Sequence, residues 1–144
     1  DNRNCTTTVV DMTTPLDALR SLHRSLEAGR SGEELRPHWH PSAKIREYPN
    51  TIAPQGALRD LDDTLAASER GAGLLASQTY EEVESFELAD RAIMRLTWTG
   101  VVGAAVGPFA AGQKLVAHIA QFARVEDGQV IELATYDCYE PLAD

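Results

Sequence analysis

Several polar residues stand in rows that are otherwise apolar, and their types are those of proton-transfer chemistry. Between Gly112 and Leu142 the chain runs G-Q-K-L-V-A-H-I-A-Q-F-A-R-V-E-D-G-Q-V-I-E-L-A-T-Y-D-C-Y-E-P-L. Read as two strands, its first arm puts Leu115, Ala117, Ile119, Ala123 and Val125 on one face, with Gln121 among them. The second arm puts Ile131, Leu133, Thr135 and Asp137 on a shared face. Upstream, A-K-I-R-E-Y alternates as a strand that stops at Pro49, with Ile45 and Glu47 on one side and Lys44, Arg46 and Tyr48 on the other. Each polar group has two readings. Asp137 is a solvated acid near a strand end, or an acid on the core row. Glu47 is a surface acid, or it follows Ile45 inward, and the same choice applies to Gln121. Acids are seldom buried unless paired. Two carboxylates in an apolar hollow will not both stay ionised without a cation, because desolvation raises both pKa values. A cation near one of them splits the pair into a base and an acid, the division that general acid–base catalysis needs. A neutral amide such as Gln121 can donate to a developing oxyanion.

The elements that must position these groups can be read from the pattern. Asp127-Gly128 lies between two β-rich runs and predicts a hairpin, since both residues tolerate positive φ. Thr14-Pro15 is a helix start; Leu16, Leu19, Leu22 and Leu26 follow at helical spacing and Gly29 closes the helix. His23, beside that stripe, reads as a half-exposed structural histidine. Residues 31 to 41 predict a short helical turn broken by prolines. His38 and His40 bracket Trp39 there, but with no third ligand nearby no metal is expected; Trp39 is expected to plug one end of the core. Residues 56 to 76 predict a helix with Leu58, Leu61 and Leu65 inward and Asp60, Asp62, Asp63 and Glu69 on the wet side, ended or loosened by Gly71 and Gly73. Residues 78 to 88 predict a bulged strand and 91 to 100 a second strand. In the latter Met94, Leu96 and Trp98 share one face and Ile93, Arg95 and Thr97 the other; Trp98 belongs to the core or stacks on a ligand. The Gly/Ala-rich stretch 100 to 112 lacks phosphate-loop spacing and reads as a lip over whatever the sheet encloses. Helices followed by a run of antiparallel strands define an α+β fold, with helices packed on one face of a strongly curved sheet.

Composition sets the outer bounds. At 144 residues and 43% hydrophobic the chain fits one domain with its own core, and 22 acidic against 13 basic residues give a net charge of −9. That balance, with no basic stripe, argues against nucleic acid as a partner. No apolar run reaches membrane-spanning length. Two cysteines, Cys5 and Cys138, make neither a disulfide framework nor a metal quartet, and a cytoplasmic protein is the expectation. Residues 1 to 12 read as a flexible arm, with Met12-Thr13-Thr14-Pro15 resembling an ordinary start, and residues 13 to 144 as a single domain.

The element order and four motifs resemble the nuclear transport factor 2-like superfamily, in its SnoaL-like and ketosteroid-isomerase-like branch. The carriers are the leucine-spaced opening helix ending A-G, the strand ending E-Y-P-N, the D-R-A-I-M-R-L-T-W-T-G strand, and F-A-R-V-E-D-G-Q-V-I-E-L with its Y-D-C-Y-E-P tail. The resemblance implies a cone-shaped, strongly curved mixed or antiparallel sheet wrapped around helices, a cystatin-like α+β barrel with an apolar pocket. It places Glu47 at the base position of ketosteroid isomerases, or Tyr48 if the alignment is made on Pro49. The two oxyanion donors of those enzymes fall on Leu22 and Gln121, so that pair is absent. Against limonene-epoxide hydrolases, Arg95 falls on the arginine and Asp137 on one aspartate, but the second aspartate is Thr97. Against SnoaL-type cyclases the acid–base position is Thr135, with Asp137 two residues along.

These readings converge on a cofactor-independent lyase, isomerase or cyclase acting on a small hydrophobic, polyketide- or steroid-like carbonyl compound. Glu47 is the expected base, Asp137 the acid and Arg95 the orienting cation; Gln121, Tyr48, Trp98, Thr97 and Thr135 are the expected substrate contacts. The alternatives are epoxide hydrolysis and a non-catalytic ligand-binding or dimerisation module. The resemblance also implies a homodimer through the outer sheet face, where His118 and Phe122 fall.

Overall fold

Among the described residues six strands form one open sheet in the order β2-β1-β6-β5-β4-β3. The computed structural model describes residues 13–142; the arm expected over residues 1 to 12 lies outside the described residues. The strands are β1 (Trp39–Glu47), β2 (Ala57–Arg59), β3 (Leu75–Leu88), β4 (Arg91–Val102), β5 (Lys114–Glu126) and β6 (Gln129–Tyr139). All neighbours pair antiparallel except β1 with β6, which run parallel. The sheet curves as a cone around the helix α1 (Pro15–Glu27) without closing, and a second helix, α2 (Leu61–Leu74), packs on β1.

The helix ends are fixed by local chemistry. Thr14 Oγ1 accepts from the Asp17 N–H at 3.1 Å while the Asp17 carboxylate accepts from the Thr14 N–H, a reciprocal cap with Pro15 at the first position. At the far end Gly29, at φ +85°, lets its own N–H reach the Leu26 carbonyl and that of Arg30 reach Ser25. The leucine stripe then faces inward: Leu16, Leu19 and Leu22 are buried against the sheet.

Strict alternation orients β4 and β5. Leu115, Ala117, Ile119, Gln121, Ala123 and Val125 are all buried, and Asp127 and Gly128 take the positive φ that the tight turn requires. In β6 the expected inward row needs one correction. The register shifts where Val125 pairs with Val130 and Arg124 with Glu132, so one residue bulges and parity changes. Val130 is therefore fully buried, while Ile131 is only half-buried. Beyond the bulge Leu133, Thr135 and Asp137 keep the inward phase.

Three further expectations change. The strand β1 begins at Trp39 directly after a 3-10 helix (Gly32–His38), so His40 and Pro41 are strand residues. Leu58 belongs to the short strand β2 and is exposed, because Asp60 caps α2 and starts it only at Leu61. Gly71 and Gly73 lie within α2 instead of ending it.

The outer edge of the sheet is β3, and α1 covers part of it. At Tyr80 the backbone N–H donates to Glu27 Oε2 at 2.7 Å and the carbonyl accepts from Arg24 Nη2 at 2.8 Å.

Candidate active site

The parallel pairing of β1 and β6 sets Glu47 beside Thr135, and β5 sets Gln121 opposite Thr135 on the other flank. These side chains, with Asp137, line a cavity of about 360 Å³ inside the cone. Its walls are mostly apolar: Leu22, Ile45, Ile119 and Leu133, with aromatic surfaces from Trp98 and Phe109. Phe109 comes from the loop after β4, which thus contributes to the cavity, as the lip reading expected. Trp98 is oriented by its indole N–H, which donates to Gln78 Oε1 at 2.9 Å. Its ring lies over Gly100, where a Cβ would come within 2.6 Å of Trp98 Cζ2, so this strand position has no room for a side chain.

Of the expected site residues, Glu47, Asp137, Gln121, Thr135 and Trp98 line the cavity; Arg95, Thr97 and Tyr48 do not. Arg95 alternates with the buried Met94 and Leu96, so it points outward, where it pairs with Glu84 at 2.7 Å and remains 60% exposed. Thr97 shares that outward parity, opposite the exposed His118. Tyr48 is exposed and stacks on Tyr136, with ring centroids 4.4 Å apart.

The cation beside Glu47 is Arg59. Its Nη1 lies 2.9 Å from Glu47 Oε1 in a pair whose side chains are 23% and 18% exposed. Ala57 is the direct register partner of Glu47 and Arg59 that of Ile45, so Arg59 is the diagonal same-face neighbour of the acid. Asn50 completes the clamp. It donates Nδ2 to Glu47 Oε2 at 2.9 Å, and its Oδ1 accepts from the Ile52 and Ala53 N–H groups, tying the acid to the loop that follows.

Asp137 sits in a different environment. Its Oδ1 accepts from the Thr135 hydroxyl at 2.6 Å. Burial pushes its carboxyl above the ordinary carboxylate range; the Thr135 hydrogen bond pulls it part of the way back, and the charge of Glu47 adds to the rise. Tyr80 and Tyr139 also line the cavity, and burial, reinforced by the charge of Asp137, holds both phenols above their ordinary range. Both remain protonated donors.

His23 is buried, at 2% exposure, and not half-exposed as its helix position suggested. Its ring stacks on Tyr80 at 4.4 Å, and Nε2 lies 2.9 Å from Gln121 Oε1. Burial lowers its pKa to about 4, against the partial opposition of the Gln121 hydrogen bond. His38 and His40 do not converge: His38 Nε2 bonds Ser25 Oγ, and His40 Nδ1 accepts from the Ser42 N–H. Among the described residues His40, Glu126 and Asp127 lie near enough to share an ion, but none of them lines the cavity. Sequence reasoning missed Arg59, Tyr80, Tyr139 and the burial of His23.

The fold is that of the nuclear transport factor 2-like and SnoaL-like proteins. IdmH, a candidate polyketide cyclase from Streptomyces antibioticus, superposes with a TM-score of 0.71 over 85% of this chain and 91% of its own, at 21% identity. A SnoaL-like candidate polyketide cyclase from Jannaschia sp. CCS1 gives 0.68 over 95% and 90%, at 15% identity. A nuclear transport factor 2-like protein from Burkholderia thailandensis gives 0.65 over 88% and 92%, at 13% identity. No protein-family model and no curated protein matches the sequence. Among the described residues no helix is long and apolar enough to cross a membrane.

Two outcomes follow from this geometry. Arg59→Gln leaves a half-desolvated carboxylate without its charge partner and should cost about 1–3 kcal/mol in urea denaturation, whereas Arg95→Ala, at an exposed pair, should stay within ~1 kcal/mol of wild type. Equal losses would show that the two ion pairs are energetically alike. His23 takes up its proton near pH 6.5 when unfolded but only near 4 when folded. Between those values the unfolded chain holds more protons, so stability falls as pH drops through that window, by up to ~3 kcal/mol. In His23→Phe that contribution is gone, so the stability gap to wild type should narrow from pH 7 to 4.

Proposed function

We propose that the protein is a cofactor-independent lyase, isomerase or cyclase that moves protons on a small hydrophobic carbonyl compound held in the cavity. The observation that carries this reading is the unequal pair of acids on one apolar cavity. Glu47 is ion-paired with Arg59, whereas Asp137 is desolvated, bonded to one hydroxyl and raised in pKa. Such a difference assigns the roles of base and acid. Glu47 removes a proton from the carbon next to the substrate carbonyl, and the electron pair moves onto the carbonyl oxygen. The phenols of Tyr80 and Tyr139 supply donors for that oxygen, in place of the oxyanion pair missing at Leu22 and Gln121. Protonated Asp137 delivers a proton, and collapse of the enolate at a different carbon completes an isomerisation or bond closure. Arg59 takes the orienting role expected of Arg95. The cyclase descriptions of IdmH and the Jannaschia protein support this class of reaction. Epoxide hydrolysis loses support, because Arg95 and Thr97 face away from the cavity.

The test is deuterium incorporation next to the carbonyl, followed by NMR in heavy water with a panel of apolar 1,3-dicarbonyl and cyclic ketone compounds. Wild type should accelerate exchange for at least one of them; Glu47→Gln should lose about 100-fold or more in that exchange, and Asp137→Asn a similar factor in conversion to the rearranged product. Unchanged exchange in Glu47→Gln with unchanged conversion in Asp137→Asn refutes the assignment; saturable binding without exchange would favour the ligand-binding module instead.

We also propose that a second copy of the chain covers the outer face of the sheet. Phe86, Ile93, Phe122 and Ala134 are successive cross-strand partners there, and Tyr136 stands edge-on to Phe122 beside Tyr48. Phe86, Ile93, Phe122, Tyr136 and Tyr48 are all exposed, a larger apolar stretch than a lone chain usually leaves in water. Light scattering should give twice the 15.7 kDa chain mass, and Phe122→Glu should give a monomer; a monomeric wild type overturns the proposal.

A further inference from the structure

We propose that His23, Gln121 and Thr135 work as one oriented chain of hydrogen-bond donors that positions Asp137, with His23 as its anchor although it makes no contact with the carboxyl. For its catalytic meaning the proposal rests on the acid–base reading above. The direction of the chain follows from which atoms can donate. Gln121 Oε1 only accepts, so the His23 nitrogen 2.9 Å away, Nε2, carries the imidazole proton. With its oxygen so engaged, the amide turns Nε2 toward Thr135 Oγ1 at 3.4 Å. The hydroxyl has a single proton, and it goes to Asp137 Oδ1 at 2.6 Å.

While Asp137 is ionised, reversing any link breaks the next. With Asp137 ionised, a flipped Gln121 amide would offer its oxygen to Thr135, draw the hydroxyl proton back, and leave the Thr135 and Asp137 oxygens facing each other with no proton between them; only the protonated carboxyl could fill that gap. A protonated Nε2 on His23 forbids that flip, because it would then meet the amide N–H groups. His23 is itself held in place. It lies in the middle of α1, buried, stacked on Tyr80, and Tyr80 is fixed through its backbone by Arg24 and Glu27 of the same helix. Burial keeps its ring neutral above about pH 4, so the chain holds one setting across the ordinary working range. A helix residue thus determines, through two intermediates, the orientation of an acid on the opposite wall. The other titratable groups that line the cavity with Asp137 are Glu47 of β1, Arg59 of β2, Tyr80 of β3 and Tyr139 of β6. None of them is a link in the chain, so changes to its links leave them in place.

The experiment is an NMR titration of the full chain, carrying carbon-13 in its aspartate carboxyls and nitrogen-15 in its histidines, with Asp137 assigned through Asp137→Asn. Thr135→Val keeps the shape and removes the donor, and the Asp137 midpoint should rise by about half a pH unit or more, roughly threefold in proton affinity. Thr135→Ser should restore it. His23→Phe preserves the stack on Tyr80 and should shift Asp137 in the same direction by a smaller amount. In wild type the His23 nitrogen shifts should report the Nε2–H tautomer. An Asp137 midpoint unmoved in His23→Phe, or a wild-type Nδ1–H tautomer, overturns the chain. If His23→Phe does not fold, the tautomer and the two Thr135 variants decide the matter. These readouts need no substrate, so a failed deuterium-exchange screen would remove the functional reading without touching the chain, and the reverse also holds.

Discussion

The parallel ladder between β1 and β6 is the constraint on which the site depends. The first strand and the last are neighbours only because the chain travels through all the other elements between them. Their register, with Glu47 opposite Thr135 and Ile45 opposite Leu133, brings an acid from one end of the sequence to the hydroxyl that serves an acid from the other. A slip of one residue would turn every side chain of β1 to the other face. Ile45 and Leu133, both buried, make that slip expensive, so apolar burial holds the chemical groups in place.

The contrast between the two acids is then a matter of neighbours. Glu47 has a guanidinium and an amide, one on each oxygen; Asp137 has a hydroxyl on one oxygen. The same cavity therefore stabilises charge at one wall and resists it at the other. No single residue creates this difference. It arises from β2, a three-residue strand whose arginine reaches diagonally across the sheet to Glu47, while among the described residues no arginine or lysine pairs with Asp137.

Much of this was legible in the amino-acid pattern, and the exceptions have identifiable causes. Gln121 could be put on the apolar row because alternation holds without a break from Leu115 to Val125, although its burial stayed open between two readings, and the Asp127-Gly128 turn declares itself through its backbone tolerance. Ile131 was misplaced because a bulge leaves no mark on a period-two pattern. Arg95 is more instructive: its own strand alternation put it opposite Met94 and Leu96, and only the resemblance to epoxide hydrolases drew it toward the pocket. The local pattern was the better guide. Arg59 was hidden because β2 is too short to show a period, and its importance comes from pairing with β1. The burial of His23 depends on where β3 and β5 pass over α1, which helical spacing alone does not reveal.

The treatment of the β3 backbone at Tyr80 has a consequence for how this molecule can associate. Arg24 and Glu27 occupy a donor and an acceptor that an incoming strand would need, standing in for a missing seventh strand. Glu81, Glu82, Glu84 and Glu87 add a run of negative charge along the same rim, and the opposite rim is only three residues long. At Tyr80 the β3 margin is a poor template for β-addition. Growth by edge-to-edge stacking, the usual hazard of an open sheet, is disfavoured where Arg24 and Glu27 hold the Tyr80 backbone, in keeping with the outer-face association proposed above.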